Sequence, residues 1–320
     1  MSALLKKVSQ ASREQWLEYC CKCPYTTYFH TPYWYELLVP DQEICPLLIE
    51  FTDGARVLLP FVKVRRFCGL IVDHFSSPGG NYGGWLANVP LKMEQVKALL
   101  SMLLEKKNLV FRENPFDSSI AEFNISGSSE DYTYIVDLSQ GMDQLYRTFT
   151  RGHKNAVNKA AKEGLVVRPA EVIEDWKQYY SVYESTLSRW KRAELKTRTI
   201  YSWEFFRRVY DQRTGHEILW LVYKENVPVA GSLAFYWNRH VVAWHGAASG
   251  EHFNLRPNNL LYWKIFCDAA QRGFDFFDFN PSGGYSGVES FKEHFGAKRK
   301  LCRYVQTRTF LRSMLSKVKR

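Results

Sequence analysis

Two stretches of the chain carry apolar runs on either side of a short polar turn. CPLLIEFTDGARVLLPFVKV (45–64) turns at Asp53-Gly54, and EILWLVYKENVPVAGSLAFYW (217–237) turns at Glu225-Asn226. Both read as strand hairpins. A glycine-bearing loop, an apolar-periodic helix and another strand follow each one. In the first half these are SSPGGNYGG (76–84), MEQVKALLSMLLEKK (93–107) and NLVFREN (108–114). In the second they are HGAASGEHFNLRPNN (245–259), LLYWKIFCDAAQRG (260–273) and FDFFDFN (274–280). Both closing strands run into Asn-Pro, at Asn114-Pro115 and Asn280-Pro281. Similar order at a nearly constant offset marks an internal repeat.

The second half holds more of the pattern. A strand at 165–169, helices at 174–190 and 201–213, and a third strand at 240–247 surround the hairpin. Hairpins combined with one helical crossover predict a mixed sheet with helices on its faces. The expected fold class is α/β, or α+β with a mixed sheet, in two units. Their expected bounds are 1–138 and 165–320, joined by a basic helix at 139–164.

The 320 residues suffice for two such units, and 46% are hydrophobic, which excludes a disordered chain. A net charge of +10 favours anionic partners without choosing among nucleotide, nucleic acid and membrane. Of the 7 Cys, Cys20, Cys21 and Cys23 cluster, but no second Cys or His pair completes a zinc pattern, so no metal is expected. The opening MSALLKKVSQ lacks a signal-peptide core, and no run approaches the ~20 apolar residues of a membrane span. A cytoplasmic protein is expected. The basic, weakly amphipathic tail 310–320 allows either contact with an anionic membrane at its inner face or a frayed end.

Charge concentrates in RGHKNAVNKAAKEG (151–164). Arg147, Arg151, Lys154, Asn158 and Lys162 recur at helical spacing, while Leu145, Phe149, Ala156 and Ala160 form another face. Gly152 is a point where the helix breaks or restarts. The charged face reads as solvated surface or as a phosphate-binding surface.

RPNNLLYWKIFCDAAQRGFDFFDFNPSGGYSGVESFKEHFGAK (256–298) resembles the FemABX group and the related FemAB-like acetyltransferases of bacterial envelope and exopolysaccharide gene clusters. The similar features are the helix, the turn at Arg272-Gly273, the strand ending FDFN, and FKEHFGAK (291–298). The basic segment, YFHTPYWYELL (28–38) and SSPGGNYGGWL (76–86) resemble other motifs of the family. The resemblance implies two GNAT-like units in tandem and an acyltransferase. Its donor would be acyl-CoA or, in the alternative, aminoacyl-tRNA. Its acceptor would be a phosphate-bearing or lipid-linked saccharide precursor. A third reading is a non-catalytic protein that binds a nucleotide-sugar or nucleic acid. No long helical-hairpin insertion of the tRNA-binding kind is present, and no basic residue stands just after Trp34, where related muropeptide-binding enzymes carry a lysine; Leu37 and Leu38 stand nearby instead.

Acyl transfer of this type needs positioning, oxyanion donors and proton transfer, but no nucleophilic side chain. In the loop entering the helix at 260, Asn258 or Asn259 is a candidate cap, and Arg256 adds charge for a phosphate. Asp278, Asn280, Ser282 and Tyr285 lie at a strand's carboxyl end, where open sheets bind ligands. The resemblance matches Phe291 and Lys292 to residues near the transferred acyl group. Lys292 then reads as an oxyanion stabiliser or as a snorkelling lysine. Tyr285 reads as a leaving-group acid or a packed loop residue. His245 reads as a proton acceptor or a hydrogen-bonded structural histidine. Arg151, Lys154 and Lys162, with Tyr82 of the first unit, are the residues expected to bind the acceptor.

Overall fold

The computed structural model describes residues 5–121, 123, 125–192 and 199–309. Its chain divides into two units, 1–133 with 300–320 and 134–299.

The first unit contains β1 (Leu5–Gln10), α1 (Arg13–Lys22), α2 (Pro32–Leu38), β2 (Glu43–Ile44), β3 (Leu47–Phe51) and β4 (Arg56–Leu59). Next come β5 (Val62–Arg66), β6 (Ile71–Phe75), β7 (Leu86–Ala87), α3 (Met93–Leu104), β8 (Leu109–Arg112), α4 (Ser118–Ala121) and β9 (Ser128–Ser129). The hairpin expected at Asp53-Gly54 is β3–β4, with Leu47 opposite Leu59. Its second run does not continue as one strand. Pro60 has no N–H to give a ladder, and beyond it the chain leaves the sheet β1-β3-β4-β7 for the sheet β2-β5-β6-β8. Strands β6 and β8 run parallel, joined through α3. The apolar stripe of α3, including Val96, Leu99 and Leu103, shares a buried core with Trp85 and Phe111, which stack at 5.6 Å.

The second unit contains β10 (Tyr132–Asp137), α5 (Met142–Thr148), α6 (Arg151–Lys162), β11 (Val166–Pro169), α7 (Ile173–Arg192) and α8 (Trp203–Gln212). Then follow β12 (Glu217–Lys224), β13 (Val227–Trp237), β14 (His240–Ala248), α9 (Pro257–Gln271), β15 (Phe276–Asp278), α10 (Ser286–Glu293) and β16 (Lys298–Leu301). Its mixed sheet has the order β11-β12-β13-β14-β15-β10-β16. Strands β11 to β14 pair antiparallel, and β14 pairs parallel with β15 across the helix α9. Apolar residues of α9 such as Leu261, Ile265 and Phe266 are buried in one core with Val222, Ala234 and Phe277. A parallel pair joined by a crossover helix therefore occurs in both units, as the repeat predicts.

The unit boundaries differ from those expected. The basic helix is not a separate connector. Val157 and Ala160 of α6 are buried in the second unit's core, which assigns it there. The last strand, β17 (Tyr304–Gln306), belongs to the first unit and pairs with β8 and β9. Arg303, just before it, is buried with Glu113, at 2.9 Å, and also donates to the Ile120 carbonyl. The helical pattern around 145–162 breaks at Phe149-Thr150 and not at Gly152. The Thr150 side chain accepts from the His153 amide and caps α6, a hydrogen bond Gly152 has no side chain to offer. The tail 310–320 lies outside the described residues.

Candidate functional site

The second unit holds a cleft of about 1260 Å³ where β14 and β15 part. Their parallel pairing ends at Val242 opposite Asp278, but β14 runs on to Ala248 against β13 alone. A bulge at Trp244 shifts the register, so that Leu233 faces His245 and Ala234 faces Ala243. The other edge of β14 is thereby open to the cleft. Ala248 shows its direction: its carbonyl accepts from Thr186 Oγ1 at 3.1 Å and Arg189 at 2.9 Å, both on α7.

The crotch of this fork is locked by Asn280 and Lys292. Asn280 takes a left-handed φ of 62°, which asparagine tolerates better than most residues. Its amide N–H donates to Asp278 Oδ1 at 2.8 Å, and its side-chain NH₂ donates to the Ala243 carbonyl on β14. Lys292 is 5% exposed. Its Nζ donates to the Asn280 carbonyl at 2.6 Å and lies 5.3 Å from the centre of the Tyr134 ring. The α10 helix thus carries a buried ammonium to the cleft wall, and the snorkelling reading fails.

The mouth is the N-terminus of α9. Its cap is Arg256, at φ 61°, with no side-chain cap; neither Asn258 nor Asn259 serves, because both lie inside the first turn behind Pro257. All four residues line the cleft. An uncapped helix start with a cation beside it favours anions. The lining also contains Lys159, Arg189 and Lys292, and among the described residues it contains no carboxylate. Several buried polar atoms of the wall lack partners among the described residues: Asn280 Oδ1, Ser282 Oγ and His153 Nε2. Unmade hydrogen bonds of this kind are rare in native proteins and point to a ligand.

The predicted residues divide. Lys292, Phe291, His245, Arg256, Asn258, Asn259 and Asn280 meet in the cleft. Asp278 does not reach it. Fully buried on β15, it shapes the Asn280 turn, a positioning task rather than acid chemistry. Tyr285 is 47% exposed at the start of α10 and does not line the cleft. Arg151, Lys154 and Lys162 do not line it either; the helical period turns Gly152, Asn155, Ala156 and Lys159 to it instead. Lys154 Nζ donates to the Arg147 carbonyl at 3.0 Å and sits over Tyr146. Tyr82 is fully buried in the first unit among Phe29, His30 and Phe116, and so is a core residue. His245 cannot readily take a proton, because burial lowers its pKa to about 3.

Sequence reasoning missed one whole wall. Tyr183, Thr186, Arg189 and Trp190 of α7 line the cleft, and their helical spacing of three and four was the available signal. His153 was missed too. It is 9% exposed, packed 5.2 Å from Phe291 and 5.1 Å from His294, and burial lowers its pKa to about 4.

Residues 147–293 match the family model of the acetyltransferase (GNAT) domain. No curated protein sequence matches the chain. Among solved structures it is similar to a crystal structure of FemX, at 15% identity and TM-score 0.68, covering 93% of this chain and 97% of that one. It is also similar to the C-terminal domain of a putative lysylphosphatidylglycerol synthetase from Agrobacterium fabrum, at 12% identity and TM-score 0.58, covering 96% and 95%. A third likeness is to L-PGS from Bacillus licheniformis, at 16% identity and TM-score 0.56, covering 96% of both chains. With its mixed sheets, repeated parallel fork and matching segment, the chain has a FemABX-like GNAT fold.

Proposed function

We propose that the cleft transfers an acyl group from acyl-CoA to an amine or hydroxyl of a cell-envelope or exopolysaccharide precursor. The observation that carries this reading is the open edge of β14 running from the α9 N-terminus to Lys292. An extended arm containing amides can pair with a free strand edge. Its phosphates would meet the α9 amides, Arg256 and Lys159, and no carboxylate among the described lining residues opposes that charge. The acyl carbonyl would then reach the crotch. There the acceptor nitrogen or oxygen forms its bond to the carbonyl carbon, the carbon–sulfur bond breaks, and the acceptor's proton ends on the sulfur. The Lys292 ammonium would stabilise the charge that builds on the carbonyl oxygen.

A second reading, transfer of an aminoacyl group from tRNA, is favoured by two structural neighbours whose names are FemX and lysylphosphatidylglycerol synthetase. The cationic cleft suits a terminal nucleotide and its phosphates equally well. Thermal melting separates the two. Saturation at ~100 times Kd adds about 2.7 kcal/mol of stability. The melting temperature is expected to rise with acetyl-CoA and not with uncharged tRNA. A rise with aminoacyl-tRNA alone selects the second reading.

A further inference from the structure

His245 stands on β14 one residue beyond the Trp244 bulge, in the part of the strand that has left β15. Its Nδ1 lies 2.6 Å from the phenol oxygen of Tyr179 on α7. Tyr179 is fully buried, and burial raises its pKa well above the usual tyrosine range, so the phenol keeps its proton. Among the described residues, Nδ1 is the acceptor within reach of that O–H. A buried hydroxyl is not left without an acceptor, so Tyr179 donates and Nδ1 accepts. The neutral imidazole then carries its hydrogen on Nε2.

The surroundings keep the ring neutral and fixed. It packs edge-on against Tyr183 of α7 at 4.5 Å and Phe206 of α8 at 5.1 Å, with Tyr201 at 5.9 Å and Trp244 at 5.7 Å. None of these neighbours carries a charge, so nothing compensates an imidazolium, and burial holds the pKa at about 3. Tyr179 is itself held by the sheet. A Cβ at Gly231 would stand 2.7 Å from Tyr179 Cδ2 and 2.8 Å from the Trp220 carbonyl, so this β13 position admits the ring only as glycine. His245 lines the cleft, and its side-chain hydrogen bond among the described residues is the one with Tyr179 at Nδ1, which leaves Nε2 for a ligand.

We propose that His245 is a neutral hydrogen-bond donor, through Nε2–H, to the acyl oxygen of the bound donor, and that Tyr179 is the positioning residue that fixes this tautomer. The inference rests on the acyl-transfer reading but not on the choice between thioester and ester. As the acceptor's bond to the carbonyl carbon forms, the carbonyl electron pair moves to oxygen and the Nε2–H hydrogen bond strengthens. When the leaving group departs, the pair returns. The imidazole proton stays on Nε2 throughout, so no other group has to restore it. The expected role as proton acceptor is thereby inverted, since the nitrogen with the lone pair is already taken by Tyr179.

The test uses the full chain labelled with ¹⁵N-histidine, with the His245 signal assigned through His245→Gln. Long-range proton–nitrogen spectra are expected to show the Nε2–H tautomer from pH 5 to pH 8. Saturating acetyl-CoA or aminoacyl-tRNA, whichever binds, is expected to move the Nε2–H resonance. His245→Leu should lower kcat with that donor about 10²-fold, the cost of one oxyanion donor, with little change in KM. His245→Gln, whose amide N–H can stand near Nε2, should recover part of it. Tyr179→Phe should give a mixture of tautomers and a smaller fall in kcat. An Nδ1–H tautomer, or an imidazolium above pH 5, overturns the proposal in the wild-type protein alone, whether or not the variants fold. A bound donor that leaves Nε2–H unmoved overturns it while sparing the acyl-transfer reading. Failure of both donors to bind overturns both.

Discussion

Replacing Lys292 by Met keeps most of the buried stem and removes the ammonium. Two effects are expected, and they have different sizes. The folded state loses the 2.6 Å hydrogen bond to the Asn280 carbonyl and the contact with the Tyr134 ring. A hydrogen bond to a charged group contributes about 1.5–3 kcal/mol, and a cation–π contact about 0.5–2 kcal/mol. Against this, a 5% exposed ammonium no longer has to be desolvated, a saving of several kcal/mol. The two nearly balance, so the net change in stability should lie within about 2 kcal/mol of zero. At about 2–4 °C per kcal/mol for a unit of this size, the melting temperature should move by no more than ~8 °C. Activity should fall in either case. Loss of one oxyanion donor costs ~2.7–4 kcal/mol of transition-state stabilisation, or about 10²–10³ in kcat. The assay is thiol release from acetyl-CoA, run beside deacylation of aminoacyl-tRNA, at a temperature where the variant is shown to be folded. Binding of the donor should change little. If Lys292→Met melts lower but turns over like the wild type, the ammonium only braces the Asn280 turn and its chemical role is refuted.

Gly231→Ala should destabilise the second unit by about 1–3 kcal/mol, the usual cost of overpacking, because its Cβ meets the Trp220 carbonyl at 2.8 Å; chemical denaturation measures this. Lys159→Glu and Arg256→Glu should each weaken acetyl-CoA binding in titration calorimetry, since they replace a cation of the lining by a carboxylate, whereas Arg151→Ala, outside the lining, should leave it unchanged. His30 is fully buried between the Thr27 amide and the Gly83 carbonyl, and burial lowers its pKa from 6.5 to about 4. Below pH 6.5 the unfolded chain therefore binds a proton that the folded state refuses, and stability falls as pH drops toward 4, by up to about 1.4 kcal/mol per pH unit. Glu113 and Asp117, whose pKa values burial raises, act in the opposite direction, so the test is the difference in slope between wild type and His30→Gln in denaturant midpoints against pH. An equal slope in both proteins would remove His30 from the acid response.

The repeat, the hairpins at Asp53-Gly54 and Glu225-Asn226, the crossover helices and the mixed sheet were all legible in the chain, because hydrophobic period and turn chemistry are local properties. So was the cluster of Arg256, Asn280, Phe291 and Lys292, since they lie in one continuous segment around the fork, at the start of α9, just after β15 and on α10. What a side chain does depends on which face of its helix meets which strand, and that is not local. The period of α6 put Arg151, Lys154 and Lys162 on one face, but only packing through Val157 and Ala160 turned Lys159 to the cleft in their place. Asp278 and Asn280 are two residues apart on one strand end, yet one is enclosed and the other is bonded across to β14. The return of β17 to the first unit and the capture of His245 by Tyr179, 66 positions away, join residues remote in sequence. Burial and hydrogen-bond partner set whether an ionisable group takes or gives a proton. The sequence by itself determined the elements and their order, while the tertiary structure alone decided which polar groups face the cleft and in what protonation state, because those are properties of neighbours in space.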